Sequence, residues 1–164
     1  MDQAEATHAR IEDKMTRDLI AKDPLAKDLL AKAAEARTKA YVPYSGFAVG
    51  AALLTGSGRV YTGCNVENAS FGATICAERT AMVKAISEGE RDFRAIAVIG
   101  DSAGPCRPCG VCRQVLVEFA PEARVYMANL KGDLSIMTSR ELLPAAFTEV
   151  DVRRGAPGAE GKTR

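Results

Sequence analysis

The first strong pattern in the chain is a helical repeat of apolar residues that begins after Asp23 and Pro24. An aspartate can cap a helix and a proline suits its first position, so this pair predicts a helix start. The apolar positions follow at spacings of three and four residues, which places them on one helical face. They are Leu25, Leu29, Ala33, Ala36 and Ala40. We predict a helix from Pro24 to near Tyr41, before Pro43.

The next stretch has the pattern of two strands joined by a turn. Residues 47–54 form an apolar run, residues 55–58 have the turn composition Thr-Gly-Ser-Gly, and residues 59–66 resume with β-forming side chains. This order predicts two adjacent antiparallel strands.

Two further helices are predicted to begin at or next to cysteines. The first runs from Ile75 or Cys76 to Ser87 and is closed by Gly89. Its predicted buried residues are Ala77, Ala81, Val83, Ala85 and Ile86. The second runs over residues 109–119, and its apolar positions are Val111, Val115, Leu116 and Phe119.

The segments around the second of these helices complete the pattern. Residues 95–99 are apolar without alternation, as in a strand that is covered on both faces. Residues 124–128 form another strand, and the order strand, helix, strand implies a right-handed parallel crossover. After a turn at residues 129–133, a capping-box pattern at residues 138–141 predicts a short helix that ends at Leu143.

Length and composition indicate one folded domain. A chain of 164 residues with 47% hydrophobic residues can bury a core of ordinary size. We expect an N-terminal extension at residues 1–23, the folded domain at residues 24–150, and a flexible Gly-rich, charged tail at residues 151–164.

The charge balance argues against nucleic acid or membrane partners. The chain has 22 basic and 21 acidic residues, so its net charge is only +1. No apolar run approaches the roughly 20 residues of a membrane span. The first 30 residues alternate acids and bases where a signal peptide would have an apolar block. We therefore expect a cytoplasmic protein.

The chain has five cysteines and one histidine, which narrows the chemistry. Cys106, Cys109 and Cys112 are too close in sequence for a disulfide framework, and in a reducing compartment such clusters more often bind metal or do redox chemistry. The histidine, His8, lies in the polar N-terminal stretch. This position argues against Cys/His or Ser/His catalysis and against a site with several histidine ligands.

The favoured interpretation is one zinc site formed by Cys76, Cys109 and Cys112. A catalytic zinc ion has three protein ligands and a fourth position for water, whereas a structural zinc ion is closed by four ligands. The predicted helix N-termini would also stabilise thiolates. Glu78, two residues after Cys76, could carry protons between water and substrate, and Arg79 could donate hydrogen bonds to a ligand sulfur.

Three other interpretations of the cysteines stay open at this stage. Cys106 and Cys109 also satisfy Pro-Cys-x-x-Cys, although Pro108 would then lie inside the turn that must free its amides. A Cys-x-x-Cys pair by itself could form a redox disulfide. A closed structural zinc site would use Cys64 as a fourth ligand.

Cys-x-Glu followed at a distance by Pro-Cys-x-x-Cys is a pattern of zinc nucleobase deaminases. Over roughly residues 24–150, the chain resembles the small, homotetrameric cytidine deaminases. The motifs that carry the resemblance are Tyr-Val-Pro-Tyr-Ser-Gly-Phe at 41–47, Gly-Cys-Asn-Val-Glu-Asn-Ala-Ser at 63–70, Cys-Ala-Glu-Arg-Thr-Ala at 76–81, Pro-Cys-Gly-Val-Cys-Arg-Gln at 108–114 and Glu-Leu-Leu-Pro-Ala-Ala-Phe at 141–147.

The resemblance implies an α/β fold, with a mixed five-stranded sheet in a three-layer α/β/α sandwich. It also implies one zinc ion per chain, bound by Cys76, Cys109 and Cys112, and a proton-transfer role for Glu78. The expected assembly is a homotetramer in which neighbouring subunits complete each other's sites.

The same resemblance assigns five residues to substrate binding. Asn65 and Glu67 would hold the 3′-hydroxyl of ribose, which suits a hydroxyl because it both donates and accepts. Phe47 would pack on the pyrimidine, Ala77 would contact the substrate, and Phe147 would reach a neighbouring subunit's site. From the residues alone, both phenylalanines would more often belong to a core.

The implied reaction is hydrolysis of cytidine and 2′-deoxycytidine to uridine and 2′-deoxyuridine with release of ammonia, a step of pyrimidine salvage. Two alternatives remain, a deaminase of a related aminonucleoside and a noncatalytic zinc-stapled binding module. The antibiotic deaminases keep Asn-Val but lack the Glu-Asn found here at residues 67–68. Phe71 stands where many relatives have tyrosine, so any contact made by that hydroxyl is missing.

Overall fold

The computed structural model describes residues 23–153 of the chain. Residues 1–22 of the predicted extension and residues 154–164 of the predicted tail lie outside the described residues. The elements, in chain order, are α1 (Pro24–Arg37), β1 (Val49–Thr55), β2 (Val60–Cys64), a 3₁₀ turn (Phe71–Ala73), α2 (Ala77–Ser87), β3 (Phe93–Gly100), α3 (Gly110–Phe119), β4 (Arg124–Asn129), β5 (Leu134–Thr138), α4 (Ser139–Leu142) and α5 (Glu149–Arg153). Helix α5 thus crosses the boundary that we expected at residue 150.

The five strands form one mixed sheet in the order β2–β1–β3–β4–β5. Strands β3 and β4 are parallel and are joined through α3, whereas the other neighbouring pairs are antiparallel. Helix α1 packs on one face, and α2 and α3 pack on the other. The three-layer α/β/α sandwich with a mixed five-stranded sheet is therefore confirmed.

Strand β1 shows how the sheet divides the core into two. Successive residues of a strand point to opposite faces. Ala51 and Leu53 accordingly pack with α2 and α3, while Ala52 packs with α1. Since both faces are covered, the central strands are apolar along most of their length, which is why their sequences lack polar alternation.

Helix α1 ends at Arg37, earlier than the predicted end near Tyr41. The backbone of Tyr41 instead bonds with the chain at residues 65–67, through N–H to carbonyl contacts of 3.0 and 2.8 Å. This tertiary pairing takes the segment out of the helix. Leu25 and Ala40 of the predicted stripe are only half-buried. The buried residues of the helix are Ala26, Leu29, Ala33 and Ala36.

Helices α2 and α3 start and end close to the predicted positions, but part of their predicted buried faces is wrong. Val83, Val111 and Phe119 are exposed. Each helix buries a narrow stripe against the sheet, and side chains outside that stripe face outwards. The buried positions of the two helices are Ala77, Glu78, Ala81, Met82, Ala85, Cys112, Leu116 and Val117. Within residues 23–153, no helix is long and apolar enough to cross a membrane.

Strand β5 has no counterpart in the elements predicted residue by residue. Its five residues are all half-buried because it is an edge strand, so its sequence carries no strong apolar signal. The capping box that follows it is confirmed. The Thr138 hydroxyl accepts from the Glu141 N–H at 3.2 Å, and the Glu141 carboxylate accepts from the Thr138 N–H at 2.7 Å.

Candidate active site

The N-termini of α2 and α3 bring three thiols together. Cys76 is the N-cap residue of α2 and Cys109 is the N-cap residue of α3. Cys112 lies one turn further along α3, on the same side as Cys109. The three sulfur atoms lie within 4.8 Å of one another, and within residues 23–153 this is the one group of three or more His, Cys, Asp or Glu side chains so arranged.

The spacing of these sulfurs fits a zinc ion. Four ligands placed tetrahedrally at a Zn–S distance of about 2.3 Å would put two sulfurs about 3.8 Å apart. The Sγ atoms of Cys76 and Cys109 are 3.7 Å apart. The cluster offers three ligands, so a zinc ion held there keeps one position for water.

Cys64 and Cys106 lie outside the cluster. The Cys64 thiol donates to the Lys39 carbonyl at 3.4 Å. Cys106 is buried against the end of β3, where a methyl group built on Gly100 would lie 2.9 Å from its sulfur. The arrangement therefore matches neither the Cys106–Cys109 register nor a four-thiolate site that includes Cys64.

Arg79 concentrates negative charge on Cys76. Its guanidinium donates to the Cys76 sulfur at 3.7 Å and to the Thr74 carbonyl at 2.8 Å. Hydrogen bonds from the Cys112 thiol and from Arg79 lower the pKa of Cys76 to about 5. The bond to Cys76, together with burial, raises the pKa of Cys112. Since ligating cysteines are thiolates, metal binding would release the protons that remain.

Glu78 lies in the first turn of α2, beside the thiols. Its side chain is 5% exposed, and this burial raises the pKa of Glu78 to about 7. The negative charge of Cys76 contributes to this rise in the pKa, while hydrogen bonds from the backbone N–H of Glu78 and with Cys112 oppose it. The site thus holds a carboxyl group that can both accept and give a proton near neutral pH.

Asn65 follows β2 and binds the backbone at the first residue of β1 and in the loop before it. Its Oδ1 accepts from the Val49 N–H at 2.8 Å, and its Nδ2 donates to the Phe47 carbonyl at 2.8 Å. An amide nitrogen has two N–H donors. One donor of Asn65 therefore remains for a ligand.

Glu67 binds the same loop at Tyr44 and Ser45, upstream of Phe47. Its Oε2 accepts from the N–H groups of Tyr44 at 2.9 Å and Ser45 at 3.2 Å, and its Oε1 accepts from the Ser45 hydroxyl. These bonds hold the pKa of Glu67 below its usual value, and the bond from the Ser45 hydroxyl contributes most. A carboxylate offers roughly four lone-pair positions. Glu67 is therefore an anion with acceptor capacity left for a ligand.

A cavity of about 380 Å³ adjoins Glu67. It is lined by Tyr44, Ser45, Glu67, Phe71 and Thr74, with the rings of Tyr44 and Phe71 in an edge-to-face contact at 5.9 Å. This volume is within the range of about 300–1,000 Å³ that is usual for small-molecule pockets. The thiols are not part of its lining, but Thr74 joins the two regions because its carbonyl accepts from Arg79.

The two phenylalanines and the alanine of the predicted substrate site lie in different environments. Phe47 is 40% exposed and Phe147 is 64% exposed, so neither is a core residue in this chain. The tip of the Phe47 ring faces Gly100, at 3.2 Å from a methyl group built there. The Ala77 side chain is fully buried in the core. A ligand contact at Ala77 would therefore come from its N–H, which lies in the first turn of α2 and has no intrahelical acceptor.

Several side chains that hold this region together were not predicted from the sequence. Ser45 lies in the 41–47 motif, but its polarity alone does not indicate what it binds. On α3, Gln114 donates to the Phe147 carbonyl at 2.7 Å. Arg113 donates to the Pro108 carbonyl at 2.9 Å and to the Leu142 carbonyl at 3.2 Å. These bonds tie the C-terminal segment to the loop that carries Cys109.

The fold and the site together define a zinc-binding α/β/α protein of the deaminase type. A family model for the cytidine and deoxycytidylate deaminase zinc-binding region matches residues 24–128. A cytidine deaminase of Halalkalibacterium halodurans is 57% identical over 121 residues, which cover 73% of this chain and 92% of that protein. A cytidine deaminase of Sporosarcina psychrophila is 53% identical over 123 residues, covering 74% and 90%.

A solved structure gives the same result. The crystal structure of cytidine deaminase from Burkholderia pseudomallei superposes with a TM-score of 0.73 at 51% sequence identity, and the match covers 74% of this chain and 98% of that chain. The chain belongs to the cytidine deaminase family.

Proposed function

We propose that this protein hydrolyses cytidine and 2′-deoxycytidine to uridine and 2′-deoxyuridine with release of ammonia, as in pyrimidine salvage. One observation carries the proposal. Three thiols lie at zinc spacing where two helices begin, and the buried carboxyl of Glu78 lies beside them. Its relatives at 53–57% identity are cytidine deaminases.

Cys76, Cys109 and Cys112 would hold the zinc ion. When bound, zinc supplies Lewis-acid chemistry that makes water nucleophilic near neutral pH. Glu78 takes a proton from water as the water oxygen bonds to C4, and gives that proton to N3 of the ring. Glu78 then takes the remaining proton of the new C4 hydroxyl and gives it to the amine as the C4–N bond breaks, which releases ammonia and leaves the C4 carbonyl. Its burial beside the thiols supports this role, because a carboxyl with its pKa near neutrality can act in both directions.

Asn65 and Glu67 bind the sugar. A ribose hydroxyl donates one hydrogen bond and accepts others. The free N–H of Asn65 and the free lone pairs of Glu67 supply both counterparts, and the cavity beside Glu67 gives the sugar room. Phe47 packs on the pyrimidine, and the N–H of Ala77 contacts the substrate.

The protein assembles as a homotetramer in which Phe147 of one chain reaches the site of its neighbour. The exposure of Phe147, at 64%, supports this assembly, since it leaves the ring free to contact a neighbouring chain. Sedimentation velocity should give about 70 kDa, four times the 17.4 kDa chain. A monomer at micromolar concentration would contradict it.

The protein acts in the cytoplasm. None of the five cysteines, which all lie within residues 23–153, is in a disulfide, which supports this location because thiols persist in reducing compartments.

The test of the proposed reaction is the fall in ultraviolet absorbance when cytidine is deaminated. Glu78→Gln should keep one zinc per chain and lose about 10²- to 10⁴-fold in kcat, the range that a general acid–base group contributes. Glu118→Gln on the exposed side of α3 is the matched control and should keep wild-type activity. A fully zinc-loaded wild type that leaves cytidine unchanged would refute the proposal.

X-ray absorption at the zinc edge separates the enzyme from a noncatalytic zinc module. Three sulfurs and one oxygen are expected for the enzyme, because Cys64 and Cys106 lie outside the cluster. Four sulfurs would favour the structural module.

A further inference from the structure

The backbone of Phe47 is held on both sides by polar side chains. Its carbonyl accepts from Asn65 Nδ2 at 2.8 Å, and its N–H donates to the hydroxyl of Ser45 at 3.0 Å. The same hydroxyl donates its own proton to Glu67 Oε1. Ser45 therefore connects the Phe47 main chain to the Glu67 carboxylate through one oxygen atom.

Among residues 23–153, the side chain that binds the Phe47 N–H is that of Ser45. Gly46, between the two residues, has a φ of +69°, a left-handed conformation that glycine adopts without strain. In this turn the Ser45 hydroxyl accepts from the N–H of Phe47, two residues later in the chain, a local contact that serine side chains often make. Glu67 also accepts from two backbone N–H groups of the loop, so its orientation is set by the same segment.

We propose that Ser45 is a positioning residue for nucleoside binding, because its hydroxyl fixes Phe47 and Glu67 relative to each other. This inference rests on the proposed function, in which Phe47 packs on the base and Glu67 binds the sugar. A nucleoside has a fixed distance between base and sugar. The Ser45 hydroxyl thus keeps Phe47, the proposed base contact, and Glu67, the proposed sugar contact, at the separation that a nucleoside requires.

The test compares Ser45→Ala with two controls. Ser45→Thr keeps the hydroxyl at an exposed position. Ser57→Ala removes a hydroxyl with the same kind of partner, since Ser57 donates to Glu90 at 2.8 Å, but on the turn at the other end of β1. Both alanine variants therefore remove a hydroxyl that donates to a glutamate, but Ser57 also bonds with the Thr55 hydroxyl at 2.8 Å, whereas Ser45 accepts from a backbone N–H.

Ser45→Ala should raise the KM for cytidine, and the dissociation constant of the product uridine, by about three- to tenfold, the equilibrium effect of one net hydrogen bond. The kcat should stay within about twofold, because the lost contact serves ground state and transition state alike. Zinc content should stay at one per chain. Ser45→Thr and Ser57→Ala should both match wild type.

Hydrogen-exchange mass spectrometry adds a measurement that does not depend on activity. The peptide that spans residues 44–49 should exchange faster in Ser45→Ala and at the wild-type rate in Ser57→Ala. An active wild type with Ser45→Ala indistinguishable from Ser57→Ala would overturn the inference alone. A loss of kcat or zinc instead of a rise in KM would also overturn it. An inactive wild type would overturn the proposed function itself.

Discussion

Replacement of Gly63 by alanine should disturb the zinc site by displacing helix α2 from strand β2. Helix α2 crosses β2 at this residue, with no side chain between them. A methyl group built on Gly63 would lie 2.5 Å from the Ala77 carbonyl oxygen and 2.6 Å from the Ala81 nitrogen. Ordinary contacts begin at 3.4 Å, so the first turn of α2 would have to move outwards by about 0.9 Å.

The shift matters because this turn carries zinc ligand Cys76 and the carboxyl of Glu78. The three atoms nearest to that methyl group all belong to α2, and none belongs to helix α3, which carries the other two thiols. The movement therefore changes the distance between the two halves of the site. Displacements of about 1 Å at reacting groups can cost about 10²-fold in rate. We expect zinc affinity to fall by about 10- to 100-fold, as when residues that orient metal ligands are lost, and stability to fall by about 1–3 kcal/mol.

Gly50→Ala is the matched control. A methyl group built on Gly50 would lie 1.9 Å from the Ala33 carbonyl oxygen and 2.6 Å from the Arg37 nitrogen, both in α1. Helix α1 packs on the opposite face of the sheet and carries none of the zinc ligands. This variant should lose at least as much stability as Gly63→Ala while its folded fraction keeps wild-type zinc affinity.

Two measurements separate the variants. Competition with a chromophoric chelator reports zinc affinity, and urea unfolding with and without zinc reports stability and the stabilisation that zinc adds through its preference for the folded state. The zinc-induced increase in the urea midpoint should be smaller for Gly63→Ala than for Gly50→Ala. Equal losses of zinc affinity in both variants, or wild-type affinity in Gly63→Ala, would refute the reasoning.

Two further predictions concern stability. Asp23 caps α1 by accepting from the Ala26 N–H at 3.2 Å, and it also accepts from the Tyr126 hydroxyl at 2.9 Å. Asp23→Ala should therefore lower the free energy of unfolding, measured in urea, by about 1–3 kcal/mol. A loss within error of zero would contradict this prediction. Ala145 has a φ of 55°, a left-handed conformation that is unfavourable for a residue with a Cβ. Ala145→Gly should therefore raise the free energy of unfolding by about 0.5–1 kcal/mol. An unchanged or lower value would show that the turn is unstrained.

The helices that carry the thiols could be predicted because their local signals agree. Cysteines stand directly before apolar repeats, and Gly89 ends α2 with a φ of +94°. Because both helices were predicted to begin at cysteines, a site with three thiols and an acid followed from the sequence. The mutual approach of the two N-termini could not be derived in this way, since it depends on the packing of both helices on one face of the sheet.

The errors have a common cause in tertiary contacts. Tyr41 leaves α1 because its backbone bonds with residues 65–67. Val83 satisfies an apolar pattern but lies outside the narrow stripe that α2 buries. Strand β5 has half-buried residues that match no simple period. In each case the neighbouring element decides the outcome, and a single sequence does not specify that neighbour.

The proposed sugar-binding role of Asn65 and Glu67 is difficult to test by their removal, because both side chains already make hydrogen bonds within the fold. Asn65→Ala would leave the Val49 N–H and the Phe47 carbonyl without their partner. Its effect on nucleoside affinity would therefore mix a lost ligand contact with a disordered loop, and unsatisfied backbone groups cost free energy of their own. Ser45→Ala removes a connection without removing a proposed ligand contact, so it isolates positioning from binding.

The same engagement explains how these side chains can bind a small hydroxyl group effectively. Asn65 and Glu67 are held by two and three hydrogen bonds respectively before any ligand arrives. Their side-chain entropy is thus lost on folding and not on binding, and preorganised groups of this kind increase affinity without additional contacts. The free N–H of Asn65 and the free lone pairs of Glu67 have fixed directions. A ligand that matches only one of them leaves the other unsatisfied, which favours a sugar hydroxyl that can donate and accept at once.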